Sequence, residues 1–579
     1  MLYFVVQKSV TDRRTCRNRR MFMGRRLMSC LSFLLLLGLI VLAAAGGVYA
    51  YLRYMPSNKR ADLSGIYTPK TGDGVILYLN YDRQETEGRI IGDKVYLPID
   101  FVNDNLNERF YYDREEKALL YTLPEEILRM TAESKNDDGS AVYVEDGDSI
   151  LVSAEIVSMH TAMAMTDFSD TEYPRLYIQN SGNTTTGANL REDTEVRIRG
   201  GIKAEIVEDA KKGDHVTVLD SMENWSKIVT AKGFTGYVKT RSLTDFCDEE
   251  PDTGFTEPEY KTTMLKDKIT MIWHQTTSQA ANAQLTNSLT GTKGVNVIAP
   301  TWFGMKNNSG EYESIASADY VKTAHSLGMK VWPVLDNFGH DYSSNVNTEK
   351  LLSKTSVRTK LIKNLMKEAA TYGFDGYNLD FEGLKKEAGV HYTQFIREMS
   401  VACRKAGLTL SVDDYPAESY NHFYNYQEQG VWADYVILMA YDEHYAGGEA
   451  GSVSSLSYVV DGIDNLLSMV PKEKIIAGLP FYTRLWTVSG ENTSSQALHM
   501  SEANEWVKNH DLDTVWDEET GQNYAELEEN GKKSMIWLED ADSMKKKVQA
   551  VKAADVAGMA GWKLGMETSD IWNIFGWKN

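Results

Sequence analysis

The chain has 579 residues, more than one ordinary domain holds, and length alone predicts about three or four. Its 82 acids against 61 Lys and Arg give a net charge of −21; residues 1–60 hold eleven of the cations and one acid, so the remainder carries −31. So acidic a body argues against nucleic-acid binding. Four cysteines argue against a disulfide scaffold, although one bridge between Cys247 and Cys403 stays open. No His-Glu-x-x-His or clustered Cys/His spacing points to a metal or cofactor, so none is expected.

In chain order, residues 1–26 form a basic tail, with Arg13, Arg14, Arg17, Arg19, Arg20, Arg25 and Arg26 against the single acid Asp12. Residues 27–52 form an apolar span, near-continuous from Leu31 to Leu52 and long enough to cross a bilayer. Positive charge stays in the cytoplasm, so the expected topology is a single-pass anchor in the cell membrane, N-terminus inside and the rest extracellular. A signal peptide cleaved near Val48-Tyr49-Ala50 is the alternative.

Residues 62–180 carry an internal repeat. The run from Gly92 to Val102 is echoed from Gly147 to Val157, and each is followed by a strand-like run, 118–121 and 175–178. This predicts two similar α+β units packed together. The segment resembles copper-amine-oxidase N-terminal-like modules of cell-wall proteins, without the histidines that would hold copper. Residues 190–245 show short strand-like runs at 196–198, 215–219, 225–229 and 235–239 between Gly and polar turns. With Trp225 and Gly236-Tyr237-Val238 they resemble a small all-β bacterial SH3-like domain, Trp225 being read as barrel core. Asp248–Glu259, acidic and holding Pro251 and Pro258, reads as a linker.

From 262 to 579, strand-like and helix-like segments alternate. Candidate strands at 268–274, 294–299, 329–335, 374–381, 408–413, 434–440, 474–479 and 557–563 fit an α/β fold, a (β/α)8 TIM barrel, with its site at the C-terminal strand ends. In the fourth, an amphipathic helix over 353–371 ends at Tyr372-Gly373 and leads into Asp375-Gly-Tyr-Asn-Leu-Asp-Phe-Glu-Gly383. Alternation along a strand points Asn378, Asp380 and Glu382 one way and Leu379 and Phe381 the other. Adjacent carboxylates oppose each other's ionisation, so one stays protonated and can serve as a general acid. A solvated strand end also finishes in acids, and that is the plain alternative. Asp375, at the strand's start, is read as structural.

The pattern closely resembles the Asp-Gly-x-Asp-x-Asp-x-Glu signature of family 18 glycoside hydrolases. Asn378 departs from it, in the manner of the cell-wall and spore-cortex-lytic branch, whose version is Asn-x-Asp-Phe-Glu. Further family-like stretches are Met439-Ala-Tyr441-Asp442, Gly478-Leu-Pro-Phe-Tyr482-Thr-Arg484 and Gly561-Trp562. The resemblance implies Glu382 as general acid and base, Asp380 as holder of the substrate's 2-acetamido group, and Tyr441 as donor to its carbonyl oxygen. Asn378, Asp442, Trp562, Trp273, Trp302, Tyr482 and Arg484 are the expected substrate-binding residues, the indoles as platforms for the C–H faces of sugars. Residues 514–517 and 534–537 are expected to form a hairpin beside the cleft.

The resulting expectation is a membrane-anchored hydrolase of β-linked N-acetylglucosamine polymers, peptidoglycan foremost, working by substrate-assisted retaining catalysis. A chitinase, a host-glycan endoglycosidase and a non-catalytic glycan-binding protein are the alternatives.

Overall fold

The computed structural model describes residues 30–339 and 346–577; the basic tail predicted over 1–26 lies outside them. The described chain opens with a helix, Cys30–Tyr54, of 25 residues, whose most apolar 18-residue stretch has mean hydropathy 2.5, long and apolar enough to cross a membrane.

The chain divides into two compact units, Met1–Pro98 with Ser153–Phe255, and Ile99–Val152 with Thr256–Asn579. In the first, Gly74–Leu79 pairs antiparallel with Asp82–Ile91 and parallel with Arg175–Asn180, flanked by Lys94–Pro98 and Met163–Asp167. A second, seven-stranded antiparallel sheet of this unit contains all four strands expected between 190 and 245 and adds Thr185–Leu190, Ile206–Ala210 and Leu243–Glu249. Val196, Val216, Ile228 and Val238 build its core. Trp225, expected there, is only half-buried, because it lies over Gly200 at the edge, where a Cβ would come within 3.2 Å of the indole.

In the second unit the sheet closes on itself. Its strands are β1 Ile269–His274, β2 Val297–Pro300 resuming at Phe303–Met305, β3 Lys330–Val331 resuming at Val334–Asp336, β4 Gly376–Asp380, β5 Thr409–Asp414, β6 Tyr435–Met439, β7 Ile475–Pro480 and β8 Gly558–Trp562. Each pairs parallel with the next, and β8 returns to β1. This is the expected (β/α)8 barrel. Inward side chains such as Met271, Ala299, Val334, Ile437 and Ile476 fill its interior, while Leu379, Phe381, Leu410 and Val412 pack outward against the helices. The helix before β4 runs Thr355–Tyr372, buries Leu361, Ile362, Leu365 and Ala369, and stops at Gly373, whose φ of 75° is the left-handed cap glycine favours. Gly376 then starts β4 where a Cβ would stand 2.5 Å from the Thr409 carbonyl oxygen and 2.7 Å from the Trp332 ring, so only glycine fits.

Between β7 and β8 lies a five-stranded antiparallel sheet, Asn492–His499, Tyr482–Ser489, Lys532–Leu538, Gln522–Glu529 and Val515–Asp517 in spatial order. The hairpin expected from 514–517 and 534–537 is corrected here: both runs pair with Gln522–Glu529, which lies between them.

Of the expected 62–180 module, residues 99–152 group with the barrel unit. Asp113, after the strand Phe110–Asp113, accepts from the backbone N–H and the hydroxyl of Thr355, both at 2.6 Å, and so caps the Thr355–Tyr372 helix. Behind it the buried Arg358 pairs with Glu398 at 2.8 Å and donates to the Tyr111 hydroxyl at 3.2 Å. Arg109 and Arg397 both reach the buried Glu428. Buried charge needs these partners, so the strand Phe110–Asp113 and the Arg109 beside it are held to the barrel helices. Cys247 and Cys403 are both free thiols.

Candidate active site

The C-terminal ends of β4, β5, β6 and β8 surround a cavity of about 300 Å³, lined by Asp380, Glu382, Asp413, Tyr415, Tyr441 and Trp562, with Trp273 and Asp442 among the remaining walls. A second cavity of about 680 Å³ shares Glu382, Tyr415 and Phe338 with the first and extends past Asn337, Thr348 and Lys385. Glu382 therefore stands on the wall common to both.

Glu382 follows β4 and is fixed at its backbone and at its tip. Its N–H donates to Asn337 Oδ1 at 2.9 Å, and Asn337 Nδ2 donates back to the Glu382 carbonyl at 2.9 Å. Its Oε2 accepts from the Tyr415 hydroxyl at 2.5 Å. Gly383 follows with φ 63°, releasing the chain from the strand. Burial pushes the Glu382 carboxyl up, the Tyr415 hydroxyl pulls it part-way back, and the Asp442 charge adds to the rise. Asp380 is 8 % exposed and its Oδ1, buried, has no hydrogen-bond partner among the described residues. Burial, then the charges of Glu382, Asp413 and Asp336, hold it well above the usual carboxylate range.

Asn378 does not face the cavity as a free ligand. Its Oδ1 accepts from the Trp273 indole N–H at 2.9 Å, and its Nδ2 donates to Ser411 Oγ at 3.1 Å and to Asp413 Oδ1 at 2.7 Å. Tyr441 is wedged edge-on to Trp273, ring centroids 6.4 Å apart, and burial with the Asp413 and Asp380 charges keeps its hydroxyl protonated far above neutrality. Asp442, at φ 56°, accepts from the Tyr482 hydroxyl at 2.5 Å, and Arg484 comes within 4.0 Å of the same oxygen. Asp375 sits at the opposite end of β4, bound to Lys330, His325 and the Val331 N–H, in keeping with a structural role.

Burial bears on three of the aromatic expectations. Trp302 is fully enclosed in the layer outside the barrel, its N–H donated to Asn282 at 2.9 Å, because β2 is interrupted before Phe303. Trp273 is 1 % exposed and spends its N–H on Asn378, so it braces the cavity wall of which it is a part. Tyr482, 5 % exposed, stands behind Asp442. Trp562 alone among the three expected indoles is half-buried, and it lies edge-on to Trp273 at 5.9 Å. Asn337, Asp413 and Tyr415 were missed. The alternation Ser411-Val-Asp413 at a strand's end, followed by Asp414-Tyr415, is the signal that could have found the last two.

Residues 265–567 match the family described as Glycosyl hydrolases family 18, slightly over half of the chain. The chain belongs to that family. Residues 192–244 match the Bacterial SH3 domain. Among curated relatives, the uncharacterized glycosylase YvbX of Bacillus subtilis (strain 168) is 25 % identical over 289 residues, 48 % of this chain and 83 % of its own. The cortical fragment-lytic enzyme of the same organism is 28 % identical over 234 residues, 38 % of this chain and 54 % of its own, so the chain spans about half of that relative. The solved spore cortex-lytic enzyme SleL of Bacillus cereus is 21 % identical with TM-score 0.47, covering 53 % of this chain and 74 % of that one. The chain is thus a family 18 glycosidase related to cortex-lytic enzymes and chitinases. The comparisons show no copper-amine-oxidase-like module.

Proposed function

We propose that this chain is a membrane-anchored hydrolase that cleaves β-linked N-acetylglucosamine in peptidoglycan, with retention and with the substrate's own acetamido group as nucleophile. The observation that carries the reading is Glu382, its carboxyl raised, standing between two cavities with the buried Asp380 two residues before it. A glycan lying through both cavities has its scissile oxygen beside Glu382. The Glu382 proton passes to that oxygen as the C1–O bond breaks, and the acetamido carbonyl oxygen closes on C1. Asp380 accepts the acetamido N–H, and the Tyr441 hydroxyl donates to the acetamido oxygen. Water then attacks C1 as the bond to the acetamido oxygen breaks, giving its proton to the Glu382 carboxylate and restoring the free acetamido group. Tyr482 and Arg484 act through Asp442, and Trp562 supplies the apolar face under the sugar.

The wall-directed substrate is supported by the cortex-lytic relatives, the Asn378 variant of the motif and the bacterial SH3 match. The anchor is supported by the Cys30–Tyr54 helix behind a basic segment, and on this reading the catalytic unit lies outside the cell. Digestion of purified peptidoglycan, with chitin and glycoprotein in parallel, should release new N-acetylglucosamine reducing ends from peptidoglycan. Chitin alone as substrate would refute the wall reading, and undiminished activity in Glu382→Gln would refute the mechanism.

A further inference from the structure

The Asn378–Asp413 contact joins adjacent strands inside the barrel. Asp413 projects inward from β5, is 2 % exposed, and reaches the same cavity as Asp380 and Glu382. The amide it binds has no freedom to turn, since the Trp273 N–H requires an acceptor from Asn378 and Ser411 together with Asp413 takes its donor. A carboxylate at 378 would set two acids 2.7 Å apart with one proton between them; an amide there leaves the carboxylate on β5 alone.

We propose that Asp413 is a positioning residue of the reaction, supplying from β5 the buried carboxylate that position 378 on β4 lacks and orienting the Asn378–Trp273–Tyr441 wall around the reacting sugar. This deepens the hydrolase reading and rests on it. The groups that face Asp413 are Asn378, Asp380 and Glu382 from β4 and the loop after it, Asp414 from its own strand and Tyr415 after it, Trp273 from β1, Tyr441 after β6 and Tyr392 on the helix Lys386–Ala406; Asp336 on β3 faces Asp380. Of these the titratable ones are acids or tyrosines; burial holds the Asp413 carboxyl itself well above the usual carboxylate range, the Asn378 amide pulls it part-way back, and the Asp414 and Glu382 charges add to the rise. Once charged, Asp413 makes every neighbouring carboxyl harder to ionise. Carboxylate and amide together therefore do what two acids sharing a proton would do, with the charge moved one strand over.

The test is a reciprocal exchange. Asp413→Asn, Asn378→Asp and the double variant are compared with the wild-type chain on a fluorogenic β-linked N,N′-diacetylchitobioside from pH 4 to 9, with thermal melts beside them. Asp413→Asn should lower kcat about 10-fold at little change in KM and move to lower pH those limbs of the kcat/KM profile that lie above the ionisation of Asp413, because there a negative neighbour has been removed. The double variant, which restores one carboxylate and one amide in exchanged places, should recover kcat to within about 3-fold and return the limbs. An unmoved profile in a folded Asp413→Asn, or a double variant no better than Asp413→Asn alone, would overturn the proposal. Glu382→Gln in the same series separates the two readings. If it retains full turnover the mechanism itself fails; if it is inactive while Asp413→Asn matches wild type, only the role of Asp413 does.

Discussion

Replacing Tyr415 by Phe removes one hydroxyl and leaves the ring. That hydroxyl donates to Glu382 Oε2 at 2.5 Å, and burial with the Glu382 charge keeps it protonated far above neutrality. A hydrogen bond to a charged group contributes about 1.5–3 kcal/mol, and a pKa unit corresponds to about 1.4 kcal/mol. The bond favours the Glu382 carboxylate over its acid form, so losing it should raise the Glu382 pKa by about one to two units. The acid form does the protonating, so the alkaline limb of kcat/KM should move up by that amount. Activity at the wild-type optimum should meanwhile fall by roughly 10-fold as the carboxyl loses its orientation. The pH–rate profile of Tyr415→Phe on the chitobioside, set against wild type, measures both. An alkaline limb that stays put or moves down in a folded variant would refute the reasoning, because it would mean that the hydroxyl does not hold the charged acid.

Four further outcomes follow from burial. Burial pushes the Asp414 carboxyl up to about 7, against the Gln429 amide that donates to it. Its unfolded value lies near 3.9, so its ionisation costs stability that grows as pH rises from about 4 through 7, up to roughly 4 kcal/mol; Asp414→Asn should therefore raise Tm at pH 8 and leave it nearly unchanged at pH 4.5. Arg358→Ala strands the buried Glu398 and should cost about 3–5 kcal/mol in a denaturant melt, and a chain begun at residue 256 should lose comparable stability with the whole of 99–152. Gly376→Ala sets a Cβ against the Thr409 carbonyl and Trp332 and should lower stability by about 1–3 kcal/mol; an unchanged Tm would show that β4 can shift to admit a methyl group.

The eight strands were legible because each is a short apolar run at a regular interval, and β4 most of all, because Asn378, Asp380 and Glu382 alternate with Leu379 and Phe381. Side-chain type was a poorer guide to which side of the pleat a residue takes. Trp302 looks like a platform in sequence, yet the break in β2 turns it to the outer layer. Tyr415 and Asn337 act on Glu382 from neighbouring strand ends, and that depends on register between segments 33 and 45 residues apart. The grouping of 99–152 with the barrel was illegible for the same reason, since one of its ion pairs joins Arg109 to a glutamate 319 positions later.

The cap that Asp113 places on the helix before β4 also bears on how the chain folds. Asp113 and Thr355 are 242 residues apart in sequence, so the catalytic strand's run-in helix gains its cap only after a long loop closes. The entropy of such closure rises only with the logarithm of length, and the loop contains Ser153–Phe255, a segment of the other compact unit. A loop partly folded into a compact body closes at less entropic cost than a free coil of the same length. The barrel's rate of assembly should then depend on the intervening segment: unfolding residues 153–255 while leaving their number unchanged would slow maturation of the active site without touching any residue in it.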